Sequence, residues 1–203
     1  MNKKRYFLEI FVKAERKYGS LDKRLAGECW KKDWQVLIAT IMSAQTRDEV
    51  TIPVAEKLFA RYENLEKLSR AKVADVLAII RPINFSPKKA RFIVATSREL
   101  IEKYNGEVPD KIEELTKLEG VGRKTANLVL SEIHNKDSIT CDTHVHRLSN
   151  VLGLVKTKNP TETEFALMKI APRNYWSRIN RIFVLWGQDV RGRDKKRLLS
   201  AIE

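Results

Sequence analysis

Lys124 stands two residues past a glycine turn, Gly120-Val121-Gly122, and Asp142 comes eighteen residues after that lysine. A phosphate-binding turn, an amine nucleophile and a carboxylate thus fall within residues 118–144, LEGVGRKTANLVLSEIHNKDSITCDTH. Glycine allows positive φ and close approach of another backbone. A turn of this kind presents amide N–H groups at the start of the next helix, where the helix dipole attracts an anion such as a DNA phosphate. Arg123 adds a cation there. The same glycines would also suit an ordinary helix–turn–helix connection.

Lys124 falls in the first turn of the following helix, where the dipole and Arg123 both disfavour an ammonium. That placement suits an amine that attacks an electrophilic carbon. A surface lysine that merely contacts phosphate is the plainer alternative. Asp142 is expected at or near the N-cap of a further helix, ionised and fixed in direction. Capping alone would also explain an aspartate there.

The elements that must position these groups read as helices almost throughout. Trp34, Leu37, Ile38 and Ile41 form one apolar stripe at helical spacing, and Trp176, Ile179, Phe183 and Trp186 form another. Val54, Leu58 and Phe59 suggest a helix with Pro53 in its first turn. Ser86-Pro87 predicts a helix start, with Ser as cap and Pro at the first helical position, and the helix runs toward Tyr104 and stops before Asn105-Gly106. Asp110 with Glu113 matches a capping box ahead of a short helix, and Asn159-Pro160 begins another. No alternating strand pattern is present, so the expected class is all-α.

The chain has 203 residues, 39 basic and 26 acidic, for a net charge of +13. That balance favours a polyanionic partner, nucleic acid foremost. The two cysteines, Cys29 and Cys141, are too few for a four-cysteine zinc or iron–sulfur site and suit a reducing interior. The basic N-terminal stretch carries charges within its apolar run, so it reads as an amphipathic helix and not as a signal peptide. No run is long enough to span a membrane. An intracellular location is expected, and a monomer.

Together, LIATIMSAQTRD (37–48), NGEVPD (105–110), LEGVGRKTANLVL (118–130) and CDTHVHRLSNVLGL (141–154) resemble the helix–hairpin–helix DNA glycosylase superfamily, most closely its endonuclease III branch. The resemblance covers roughly residues 30–190. It implies two closely packed helical domains with the active site in the cleft between them. One would be a helical barrel, 26–136, carrying the hairpin. The other would join both termini, 1–25 plus 137–203. By position, Lys124 matches the family's Schiff-base lysine and Asp142 its catalytic aspartate. Gln45 matches a residue that fills the gap left by an extruded base; it could equally be a buried or capping glutamine. Phe85 stands where the family places an apolar wedge, within a loop, INFSPKKA, that departs from the common pattern. Gly120, Val121, Gly122 and Arg123 would contact DNA. The carbonyls of Thr116, Leu118 and Val121 match positions where relatives hold a sodium or potassium ion.

The chief departure is WGQDVRGRDKKRLLSAIE, where endonuclease III typically carries its four-cysteine cluster loop. The cluster is therefore expected to be absent. Arg191, Arg193, Lys195, Lys196 and Arg197 would either supply phosphate contacts in its place or form a solvated basic tail. His144 and His146 form an HxH pair with no further ligand in view, and read as supporting or surface residues. The resemblance implies a bifunctional DNA glycosylase and AP lyase acting on double-stranded DNA with damaged bases, oxidised pyrimidines first, or abasic sites, with no cofactor required. A mismatch glycosylase for thymine or uracil and a non-catalytic DNA-binding hairpin module are the alternatives.

Overall fold

The computed structural model describes residues 2–203. Among these residues there are α-helices and no strands: α1 Lys3–Tyr18, α2 Asp33–Ser43, α3 Asp48–Arg61, α4 Leu65–Ser69, α5 Val73–Ile80, α6 Ser86–Tyr104, α7 Ile112–Leu115, α8 Arg123–Glu132, α9 Thr143–Val151, α10 Pro160–Ile170, α11 Trp176–Asp189 and α12 Lys195–Ser200. The all-α expectation holds. No helix among them is long and apolar enough to cross a membrane. Two compact units divide the chain: Met1–Lys23 with Lys136–Glu203, and Arg24–Asn135.

The unit of residues 24–135 is built on α2. Its expected stripe is buried, and Val36, Ala39, Thr40 and Met42 are buried with it, so α2 is enclosed on nearly every side. Helices α3, α6 and α8 supply that enclosure. Each fully buried Leu or Ile there stabilises the fold by roughly 1.5–3 kcal/mol. Trp34 and Trp30 both meet the Phe59 ring edge-on, at 5.2 Å and 4.9 Å between centroids.

Three helix starts differ from expectation. Helix α3 begins at Asp48, so Pro53 lies inside it and not in its first turn. The proline removes one amide donor from the ladder, and burial of Val54, Ala55, Leu58 and Phe59 outweighs that loss. At α6, Phe85 and not Ser86 is the N-cap, in left-handed backbone with φ 59° and ψ 30°. Ser86 is already helical, which puts Pro87 second. Helix α7 has Lys111 as its N-cap with no side-chain cap bond, so Asp110 stands one residue too early for a capping box. The α6 exit is as expected: Asn105 is left-handed, and the Gly106 amide donates to the Leu100 carbonyl at 2.8 Å.

The other unit pairs α1 with α11 and α9 with α11. Phe7, Phe11, Tyr18, Phe183 and Trp186 form its aromatic core, each at most 1% exposed. The Tyr18 hydroxyl donates to Asp189 at 2.7 Å. Burial, reinforced by that carboxylate, pushes its ionisation well above the ordinary tyrosine range.

Candidate active site

The hairpin is residues 116–122, between α7 and α8. The Val121 amide donates to the Leu118 carbonyl at 3.1 Å, and the Ala126 amide to Gly122 at 2.9 Å. Helix α6 pins the turn from behind: the Thr96 hydroxyl donates to the Glu119 carbonyl at 2.9 Å. Gly120 has φ +80°, and a Cβ there would lie 2.6 Å from the Phe92 ring. Both conformation and space require glycine at 120. Gly122 differs from expectation. Its φ is −92°, and a Cβ on it would meet nothing within 4 Å. Nothing inside the fold demands glycine at 122; its bare backbone faces open space at the N-terminus of α8, where a phosphate can approach closely.

Lys124 is the second residue of α8 and is exposed. Among the described residues, no hydrogen bond or ion pair holds its amine. The chain places an exposed four-carbon arm on a fixed base, since Thr125, Ala126, Val129 and Leu130 bury the opposite face of the helix.

Asp142 is the N-cap of α9. Its Oδ1 accepts the Val145 amide at 2.8 Å, its one side-chain hydrogen bond among the described residues. The preceding Ile139, Thr140 and Cys141 are buried, and Asn180 of α11 donates to the Thr140 carbonyl at 3.1 Å. The carboxylate is thus fixed in direction by one oxygen while the other stays available.

Gln45 is exposed and is the cap residue of neither neighbouring helix, since Ala44 is the C-cap of α2 and Arg47 the N-cap of α3. Its backbone is left-handed, φ 55°, as is that of Phe85. Outside glycine and asparagine that conformation costs about 1–2 kcal/mol. Phe85 is 62% exposed, more than any other large apolar side chain among the described residues. Asn84 links the two turns: its Nδ2 donates to the Gln45 carbonyl at 2.5 Å, and its backbone amide to the Thr46 hydroxyl at 3.2 Å.

Sequence reasoning missed Lys89. It is 5% exposed, and its Nζ donates to the carbonyls of Met42 at 2.7 Å and Ala44 at 2.5 Å, and to Thr46 Oγ1 at 3.2 Å. Burial pushes its ammonium down to about 8. One signal was available: Lys89 shares the buried face of α6 with Ser86, Ile93, Ser97 and Leu100, where a lysine needs a reason.

The basic run 191–197 is not a tail. Asp194 caps α12, accepting from the Lys196 amide at 2.9 Å, and Leu198 is 1% exposed. Arg147 of α9 holds the segment before it, donating to the carbonyls of Gly187 at 2.8 Å, Val190 at 3.2 Å and Gly192. Arg191, Arg193, Lys195, Lys196 and Arg197 are exposed on this ordered support. His146 accepts or donates at Thr163 Oγ1, 2.7 Å away, and both His146 and His144 are half-buried, not surface residues. Among the described residues no cluster of three or more metal-ligating side chains forms.

Residues 38–173 match the model of the HhH-GPD superfamily of base excision DNA repair proteins. The chain belongs to that superfamily. Within it, endonuclease III of Thermotoga maritima is 48% identical over 157 residues, which span 77% of this chain and 74% of that one. A trapped endonuclease III–DNA covalent intermediate superposes with a TM-score of 0.86 at 32% identity, covering 94% of this chain and 89% of that one. A non-covalent endonuclease III–DNA complex gives 0.84 at 33%, covering 91% and 86%. The endonuclease III branch of this HhH-GPD superfamily is therefore where the chain stands.

Proposed function

We propose that this protein is a bifunctional DNA glycosylase and AP lyase that removes oxidised pyrimidines from duplex DNA. The observation that carries the reading is Lys124: an exposed amine without a partner, two residues past a hairpin that α6 holds from behind. The backbone at Gly122 and the first amides of α8 receive a phosphate of the damaged strand. The damaged nucleotide leaves the stack, because its C1′ is unreachable inside the duplex. Lys124 Nζ, as a free amine, attacks C1′, and the bond from C1′ to the base breaks with its electron pair going to the base. The amine proton is lost as the sugar opens to an imine. That imine acidifies the C2′ proton. Its removal expels the 3′ phosphate by β-elimination, and water later releases Lys124.

The Asp142 carboxylate stabilises positive charge growing on the sugar and helps deprotonate Lys124. Gln45 and Phe85 enter the duplex where the nucleotide has left. Arg123 and the basic run 191–197 hold phosphates. The carbonyls of Thr116, Leu118 and Val121 occupy one turn. Thr116 caps the end of α7, and the Leu118 carbonyl keeps a second lone pair beside the one that accepts the Val121 amide, so these oxygens fit a sodium or potassium ion. Bound there, the ion would stiffen the turn and offset phosphate charge. Cys29 and Cys141 by themselves cannot supply the four thiolates of an iron–sulfur cluster.

The test is a panel of duplexes, each with one defined lesion. Base release and strand cleavage at an oxidised pyrimidine, exceeding those at thymine or uracil opposite guanine, are expected. Preferential release from the mismatches without strand cleavage would replace this reading with a mismatch glycosylase.

A further inference from the structure

Gln45 and Phe85 sit in left-handed backbone that neither residue type favours, and their side chains gain nothing from the core. Such conformations persist only where the surroundings over-determine them. The residue that does so is Lys89. Its Nζ donates to the Met42 and Ala44 carbonyls and the Thr46 hydroxyl, on either side of Gln45, while its backbone amide makes only the first helical bond of α6, to the Phe85 carbonyl at 3.0 Å. The Lys89 ammonium therefore grips the Gln45 turn directly, and Asn84 ties the Phe85 turn to it. Thr46 Oγ1 is a shared anchor, accepting from Lys89 Nζ and from the Asn84 amide.

We propose that Lys89 is a positioning residue that locks the Gln45 and Phe85 turns into one rigid pair of prongs for entering the duplex. This rests on the reading of those two residues as the groups that enter it. A buried ammonium is a costly way to finish a helix, since uncharged caps serve as well. Its advantage is reach: three donors on a long arm fasten a turn in another element. Prying open a base step works against stacking, and prongs on yielding loops would give way instead. Lys89 cannot itself be a nucleophile, because its amine is buried and its donors are taken.

The test is a double-mutant cycle in the full chain, read as single-turnover cleavage of one oxidised pyrimidine in duplex and in single-stranded DNA. Lys89→Met should slow duplex cleavage by about tenfold or more, equivalent to about 1.4 kcal/mol, and leave single-strand cleavage nearly unchanged. Combined with Gln45→Ala and Phe85→Ala, the same change should cause little further loss, because the prongs it positions are gone. Thr46→Val, which keeps the lysine and removes the shared anchor, should lose duplex cleavage in the same direction; it also serves if Lys89→Met does not fold. Equal losses on both substrates, or a full Lys89→Met loss persisting without the prongs, would overturn the proposal. If Gln45→Ala and Phe85→Ala leave duplex cleavage intact, the prong reading fails and takes the proposal with it. Absence of any cleavage by the wild-type chain would instead overturn the lyase function.

Discussion

One carboxylate oxygen of Asp142 accepts the Val145 amide, so the bond that starts α9 also aims the charge. Asp142→Asn keeps an acceptor for that amide and removes the negative charge. The variant should fold and bind DNA, yet lose at least about a hundredfold in base release, the scale of one preorganised electrostatic group. Near-normal single-turnover release would reduce Asp142 to a cap. Lys89 gives a pH prediction. It titrates at about 8 in the fold, against an ordinary 10.5, with burial as the cause. Between those values the unfolded chain holds more protons than the folded one, so this group's contribution to stability rises with pH across the window. Below about pH 8 both states are protonated and the burial cost is fully present. Denaturant melts at several pH values should show that rise in wild type and a flatter curve in Lys89→Met; parallel curves would contradict it. Lys124 and Asp142 could be singled out because each lies beside the local feature that explains it, a glycine turn and a helix start. For Lys89 only its place on the buried face of α6 was legible; its role was not, because the carbonyls it binds are 45 and 47 residues away.

The hairpin separates two glycines that look alike in sequence. Gly120→Ala places a Cβ against Phe92 at positive φ, and should cost about 1–3 kcal/mol by urea unfolding. Gly122→Ala places one in open space with ordinary φ, so stability should stay within about 0.5 kcal/mol. DNA affinity should nevertheless fall, since the added methyl stands where a phosphate approaches. Unchanged affinity in a folded Gly122→Ala would remove that role. Periodicity made the apolar faces of α2 and α11 legible, and Asn159 and Asn105 marked real helix ends. The starts of α3, α6 and α7 were not legible. A proline survives mid-helix where burial compensates it, and a phenylalanine takes a strained cap in a turn that Asn84 fastens to the Gln45 turn. The run 191–197 read as a tail because Asp194 as a cap and Arg147 as an anchor are visible only in three dimensions. Replacing Arg191, Arg193 and Lys196 by Ala should weaken binding across sequences. It should also flatten the slope of log K against log salt, by up to about 0.9 for each phosphate no longer neutralised. An unchanged slope with unchanged affinity would show that these side chains are merely solvated.

At the scale of the molecule, each compact unit holds one half of the proposed chemistry, Lys124 in residues 24–135 and Asp142 in the unit that joins both termini. Each half is buttressed within its own unit, by Thr96 and Phe92 behind the hairpin and by Asn180 behind the Asp142 segment. A net charge of +13 draws the chain to DNA without choosing a lesion. Choice must come from the pocket that receives the flipped base, whose shape no local motif encodes. In the proposed reaction Lys124 is the amine that bonds to the sugar. Borohydride reduction during reaction with an abasic duplex tests it directly. The wild-type chain should form a covalent protein–DNA adduct, and Lys124→Ala should form none while keeping most of its DNA affinity. An adduct from folded Lys124→Ala at the wild-type rate would show that another amine is the nucleophile.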